Sequence, residues 1–158
     1  MAIEIVKDYF RALGREGDIQ EFPVSSATVA LAAEALGVEP ARIAKTLSFR
    51  VGEECVLIVA AGDARIDNRK YKAQFGVKAK MLTPEEVLAE TGHAVGGVCP
   101  FGVDYDRVRV YTDCSLQRFD TVYPACGSAN SAIALSCQEL YQYAHSLQWI
   151  DVCKLSAE

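Results

Sequence analysis

The stretch from Ile43 to Ala61 constrains the fold more than any other part of the chain. Residues 43–51 alternate, with Ile, Lys, Leu, Phe and Val at odd positions and Ala, Thr, Ser and Arg at even ones. That period of two is the signature of a β-strand. Gly52-Glu53 then supplies a hairpin turn, and Cys55 to Ala61 is apolar throughout. This predicts a half-exposed strand beside a central strand buried on both faces. A lone hairpin is marginal in water, so further strands and helices must cover it.

Their signals are spread along the chain. Ile3, Val6, Phe10 and Leu13 at helical spacing predict a helix over 2–13 that stops at Gly14. A short strand is expected over 19–24, and Ser25 and Ser26 are placed to cap a helix that runs through Leu36 to Gly37. Thr83-Pro84-Glu85-Glu86 is a helix start with a capping box, and Ser136-Cys137-Gln138-Glu139 repeats that logic before a last helix to about Leu147. Strands are expected at 77–82, 108–112, 121–125 and 132–135. Hairpins and helices are interspersed without a βαβ rhythm, which predicts an α+β domain with a mixed, largely antiparallel sheet flanked by helices. No repeat or linker divides the chain, so residues 1–158 read as a single domain.

Composition narrows the function classes. At 51% hydrophobic and 23% charged, 158 residues suit one folded domain rather than a disordered chain. The longest apolar run, Cys55–Ala61, is far short of the roughly 20 residues of a membrane span. The N-terminus carries charge where a signal peptide needs apolar residues, so a cytoplasmic location is expected. The six cysteines lack CxxC spacing and read as free thiols, with no metal site and no cofactor implied. A net charge of −5 opposes indiscriminate nucleic-acid binding. Yet between Asp63 and Lys80 six cations, Arg65, Arg69, Lys70, Lys72, Lys78 and Lys80, face only two acids. This window is either a solvated helix face or a local anion-binding patch.

Three features carry chemistry. Lys45 falls in phase with Leu47 and Phe49 on the apolar strand face. There it either snorkels outward or projects its ammonium into a pocket suited to an anion such as phosphate. Gly96-Gly97-Val98-Cys99-Pro100-Phe101-Gly102 forms a loop whose backbone N–H groups can approach an oxyanion, though a plain turn reads the same way. Tyr123-Pro124-Ala125-Cys126-Gly127-Ser128-Ala129-Asn130 is a second small-residue loop or a tight connection. There is no GxSxG elbow and no GxxxxGK[ST] loop. His93 lies near the glycine loop, and Cys99 within it is a candidate thiol nucleophile or a packed small residue.

Taken in order, Arg42-Ile43-Ala44-Lys45-Thr46-Leu47, Gly62-Asp63-Ala64-Arg65-Ile66-Asp67, the Gly96–Gly102 loop and Val122-Tyr123-Pro124-Ala125-Cys126-Gly127 resemble the YbaK/prolyl-tRNA editing domain family from about Phe22 to Tyr143. The resemblance implies a partly closed barrel. It also implies hydrolysis, in trans, of the ester joining a small, wrong amino acid (Ala, Ser, Thr or Cys class) to a tRNA, tRNA(Pro) among the candidates. Such editing is needed because a synthetase pocket discriminates one methylene by only about 1–3 kcal/mol. By the same resemblance Lys45, Gly96 and Gly97 are the catalytic residues: Lys45 holds the terminal phosphate region, and loop amides cradle the developing oxyanion. Thr46, Cys99, Pro100, Gly102, Gly127 and Ser128 line the substrate. Arg65, Arg69, Lys70 and Lys72 meet the tRNA. The ribose hydroxyl and a water replace a protein nucleophile.

The implied partners are mischarged tRNA and prolyl-tRNA synthetase, with a free-standing chain acting as monomer or homodimer. Cys99 departs from the small residue usual in that loop. Ser131-Ala132-Ile133 lacks the acid of the cysteinyl-specific branch, which weighs against Cys. Two rival readings differ in class. One is a non-catalytic module that binds tRNA or another nucleotide, and the other a thiol-dependent esterase using Cys99.

Overall fold

The computed structural model describes residues 2–155, so the ends of the 1–158 domain reading fall outside the described residues. The chain opens with α1 (Ala2–Ala12), β1 (Gln20–Glu21) and α2 (Val29–Leu36). The long hairpin follows as β2 (Ile43–Val51) and β3 (Glu54–Ala61), then β4 (Ala64–Ile66), α3 (Asn68–Phe75) and α4 (Pro84–Thr91). The second half comprises β5 (Val108–Asp113), β6 (Thr121–Pro124), β7 (Ser131–Ala132), β8 (Leu135–Ser136), α5 (Cys137–Tyr143), β9 (Trp149–Ile150) and β10 (Cys153–Leu155).

Six strands form the main sheet in the order β8-β6-β2-β3-β5-β9, curled into half a barrel. Its longest ladder is the antiparallel hairpin, from Val51 opposite Glu54 to Ala44 opposite Ala61. β6 joins β2, β5 joins β3 and β9 joins β5 in parallel, while β8 pairs with β6 antiparallel, so the sheet is mixed. β1–β7 and β4–β10 form two small antiparallel pairs beside it. β3 is central and buried from Cys55 to Ala61, as its apolar run predicts. β2 corrects the expectation of a half-exposed strand: none of its residues is exposed. Phe49 packs on Tyr71 of α3, and Ile43 on Ala32 and Ala33 of α2, so helices cover what alternation alone left open. One continuous core runs from Val6 and Phe10 of α1 to Cys153.

Several expected elements differ in extent. Thr28, not Ser25 or Ser26, caps α2, because both serine hydroxyls turn to the Ala129 carbonyl. Residues 77–82 are a connection rather than a strand. With α3 ended at Gly76 and α4 capped at Thr83, they touch β2 only through one Phe49–Met81 bridge and two flanking backbone hydrogen bonds. The 132–135 segment splits between β7 and β8, and α5 ends at Tyr143 because Leu147 already donates to Val110 of the sheet. Both capping boxes form as expected. Thr83→Ala is therefore expected to cost about 1 kcal/mol. This would be read as a lower urea midpoint at unchanged m-value, and an unmoved midpoint would show the cap to be replaceable by water.

Candidate functional site

A cleft of about 300 Å³ opens between the start of α2, the first half of β2 and the loop containing Gly96. Its floor is β2 from Ile43 to Ser48, its walls include Ser26, Ala27, Thr28, Leu82, Val87 and Val98, and Ala125, Ser131 and Ala132 close the far side. Of the residues singled out from sequence, Lys45, Thr46 and Gly96 line it.

Lys45 is half-buried, and its Nζ lies 3.4 Å from the Gly62 carbonyl. Burial pulls its pKa below the ordinary 10.5, with the Cys153 and Asp63 side opposing that shift. No carboxylate among the described residues pairs with it; Asp63 is held instead by both terminal nitrogens of Arg118. A partly desolvated ammonium lacking a counter-ion is suited to an anionic ligand. Gly62 is fixed in place, since a Cβ there would lie 2.0 Å from the Pro40 carbonyl oxygen. Beside Lys45, the Thr46 hydroxyl is buried and unpartnered among the described residues. An unmet buried hydroxyl costs about 1–3 kcal/mol, a cost that a bound polar group would remove.

The glycine loop is used differently from expectation. Gly97 N–H donates to the Ala94 carbonyl at 3.0 Å and the residue is buried, so this amide is spent inside a turn rather than offered to an oxyanion. Gly96 and Val98 line the cleft, and their N–H groups have no hydrogen-bond acceptor among the described residues. Theirs are thus the loop amides left free at the cleft. Gly97 instead lets two loops meet: a Cβ on it would lie 2.7–2.8 Å from the Ser128 backbone. Ser128 sits behind that contact, its Oγ 2.6 Å from Ser131 Oγ.

Cys99, Pro100, Gly102 and Gly127 lie outside the cleft. Cys99 and Pro100 are buried under the loop, with the Pro100 carbonyl accepting from Tyr105. Gly102 and Gly127 lie against α1, at Ile5 and at Ala2 and Val6. Burial pushes the Cys99 thiol up to about 12. A fully enclosed thiol held in the protonated state is no nucleophile, which corrects the thiol-esterase reading. Ser26 and Ser48 are cleft residues that sequence reasoning missed, and Ser131, read from sequence only as the place where the cysteinyl-branch acid is lacking, also lines the cleft. Of the two missed residues, Ser48 left a signal, two places beyond Thr46 on the same strand.

His93 is wholly buried. Its Nε2 donates to the Phe101 carbonyl at 3.0 Å, with Cys99 Sγ at 3.6 Å, and Nδ1 is unpartnered among the described residues. Burial lowers its pKa from 6.5, so the unfolded chain takes up this proton first. The resulting stability is fully present above about pH 6.5 and declines as pH falls toward the folded pKa. His93→Gln is expected to flatten the loss of unfolding free energy between about pH 8 and about pH 5. An equally steep loss would place the acid sensitivity elsewhere.

Arg65, Arg69, Lys70 and Lys72 are exposed and lie outside the cleft. Lys70 is engaged by Asp151 and the Cys153 carbonyl, both at 3.0 Å. Asp113, Cys114 and Asp151 place donor atoms within 4.8 Å of one another. Asp113 is already committed to the Ser115 and Val152 N–H groups, however, and Asp151 to Lys70.

The chain belongs to the aminoacyl-tRNA editing domain family, whose profile matches residues 24–143. Uncharacterized protein YwhH of Bacillus subtilis (strain 168) is 57% identical over 155 residues, 98% of each chain. Proline--tRNA ligase of Thermotoga maritima is 31% identical over 114 residues, which are 71% of this chain but 20% of the ligase. A solved structure described as a candidate trans-editing enzyme for prolyl tRNA synthetase matches with a TM-score of 0.86 at 28% identity, covering 97% of each chain. The α+β fold is thus that of the editing domain. No helix among the described residues is long and apolar enough to cross a membrane.

Proposed function

We propose that the chain is an aminoacyl-tRNA deacylase, cleaving in trans the ester of a small non-cognate amino acid from tRNA, with tRNA(Pro) the favoured carrier and the cytoplasm its place of action. The observation that carries this reading is the Lys45 ammonium, half-buried and without a carboxylate partner among the described residues, in a cleft beside the unengaged amides of Gly96 and Val98. Lys45 holds the phosphate or ester end of the terminal nucleotide, and the amides receive negative charge as it develops on the ester oxygen. Preorganised donors of this kind are worth about 2.7–4 kcal/mol each when they face the transition state. The attacking oxygen comes from water or from the ribose hydroxyl. Relatives of matching length, one of them described as a candidate trans-editing enzyme, support action in trans.

The cleft wall mixes larger apolar residues, Ile43, Leu47, Leu82 and Val87 among them, with small and hydroxyl-bearing ones. The small residues are Ala27, Ala32, Ala44, Ala125 and Ala132, and the hydroxyl-bearing ones include Ser26, Ser48, Ser131 and Thr46. Alanyl, seryl and threonyl esters fit that mixture, and prolyl synthetase is the source of the error. The test is ester release from tRNA(Pro) carrying Ala, Ser, Thr, Cys or Pro. The expected result is rapid release of at least one small non-cognate residue and slow release of Pro. Tight binding of the charged tRNA with no release from any ester would instead identify a non-catalytic binding module.

A further inference from the structure

Of the sixteen lysines and arginines, nine hold a carboxylate as an ion pair. Seven hold none among the described residues: Lys45 in the cleft, and Arg65, Arg69, Lys72, Lys78, Lys80 and Lys154. These last six follow the course of β4, α3 and the connection to α4, with Lys154 on the partner strand β10, and are taken together as one strip. Arg65 of β4 stands opposite Lys154 of β10 in register. α3 begins directly after β4, and its Arg69 and Lys72, three residues apart on one helix side, border with Lys78 a concavity of about 440 Å³. From Lys78 the chain passes Lys80, whose carbonyl accepts from Arg50 of β2, to Met81, which lines the cleft. Three residues of extended chain span about 10 Å, so the concavity and the lip of the cleft are close neighbours.

The acids within this stretch do not neutralise it by pairing. Asp63 is held by Arg118, and the Asp67 carboxylate caps α3 by accepting from the Arg69 and Lys70 N–H groups. A strip of unpaired like charge in a protein of net charge −5 is unfavourable by itself and favourable against a polyanion. Its course toward Lys45, itself unpaired, argues for one anionic chain that follows the strip and ends in the cleft.

We infer that this strip docks the phosphate backbone of an RNA strand whose 3′ end occupies the cleft. The proposal rests on the deacylase reading for the identity of that end. It departs from sequence expectation by including Lys154 and by excluding Lys70, which is occupied by Asp151.

The test uses the full chain and an unacylated RNA hairpin with a single-stranded 3′ tail, its affinity measured by fluorescence anisotropy across a salt series. Lys72→Gln and Lys78→Gln are each expected to reduce the log–log salt slope by about one, and the double variant by about two. Lys70→Gln should leave the slope unchanged. All these side chains are exposed, and circular dichroism checks folding. A wild-type slope in the double variant would overturn the proposal, and so would an equal loss in Lys70→Gln. Ester cleavage is read separately. Predicted slopes without cleavage support the docking strip and remove the deacylase reading. Cleavage with unaltered kcat/KM in the double variant removes the strip and leaves the deacylase.

Discussion

Gly97→Ala is expected to lose about 10²-fold in deacylation rate and to melt several degrees lower, although the residue offers no donor to the substrate. The cause is a backbone collision. The new methyl would sit 2.7–2.8 Å from the N, Cα and C atoms of Ser128, none of which can swing aside as a flexible side chain could. The two loops must part. Ser128 is followed by Ala129, whose carbonyl accepts from Ser26 N–H at 2.6 Å, so the displacement passes to the start of α2 and the cleft wall. Overpacking of this kind costs about 1–3 kcal/mol, and about 2–4 °C of melting temperature accompanies each kcal/mol at this chain length. A shift of about 1 Å in a catalytic wall costs on the order of 10²-fold in rate. Cys99→Ala is the contrast. It removes a buried thiol that does not face the cleft and should leave the rate within a few-fold of wild type. A fully active Gly97→Ala, or a dead Cys99→Ala, would contradict this division of roles.

Local patterns made the hairpin, the two capping boxes and the Gly37 stop legible in the sequence, because each is decided by a few adjacent residues. What depended on distant segments was not legible. Residues 77–82 have strand composition, yet two flanking helix ends leave them only a bridge to β2. Ser25 and Ser26 are good caps by residue type, but Ala129, over a hundred positions away, claims their hydroxyls. At the site, Lys45 stood out because its charge interrupted an apolar strand face. The glycine loop stood out as a whole, while the division of labour within it did not. Gly97 reads as an exposed donor until the structure brings Ser128 against it. Cys99 reads as a pocket residue until the loop folds it under, beside His93. The basic window was visible as composition, but only the ion pairs distinguish Lys70 from its neighbours.

The second large effect is expected at Lys45. Lys45→Ala removes the only cation that lines the cleft among the described residues and leaves the core untouched, because the side chain is half-buried and its one polar contact is the Gly62 carbonyl at 3.4 Å. A hydrogen bond to a charged group contributes about 1.5–3 kcal/mol, which corresponds to a loss of about 10–10²-fold in rate. Burial lowers the Lys45 pKa. Activity that needs the ammonium is therefore present at neutral pH and falls as pH rises, with the fall beginning below the ordinary lysine value of 10.5. Lys45→Arg keeps the charge at high pH but carries a longer, planar head, so it should recover binding better than rate. The most direct measurement is single-turnover release of alanine from Ala-tRNA(Pro) by the wild-type chain, Lys45→Ala and Lys45→Arg, at matched folded concentration. The expected result is release by the wild type, a loss of about 10–10²-fold in Lys45→Ala and an intermediate Lys45→Arg. Equal rates in all three proteins would contradict it, since the ester would then be cleaved without the one charge that defines the cleft.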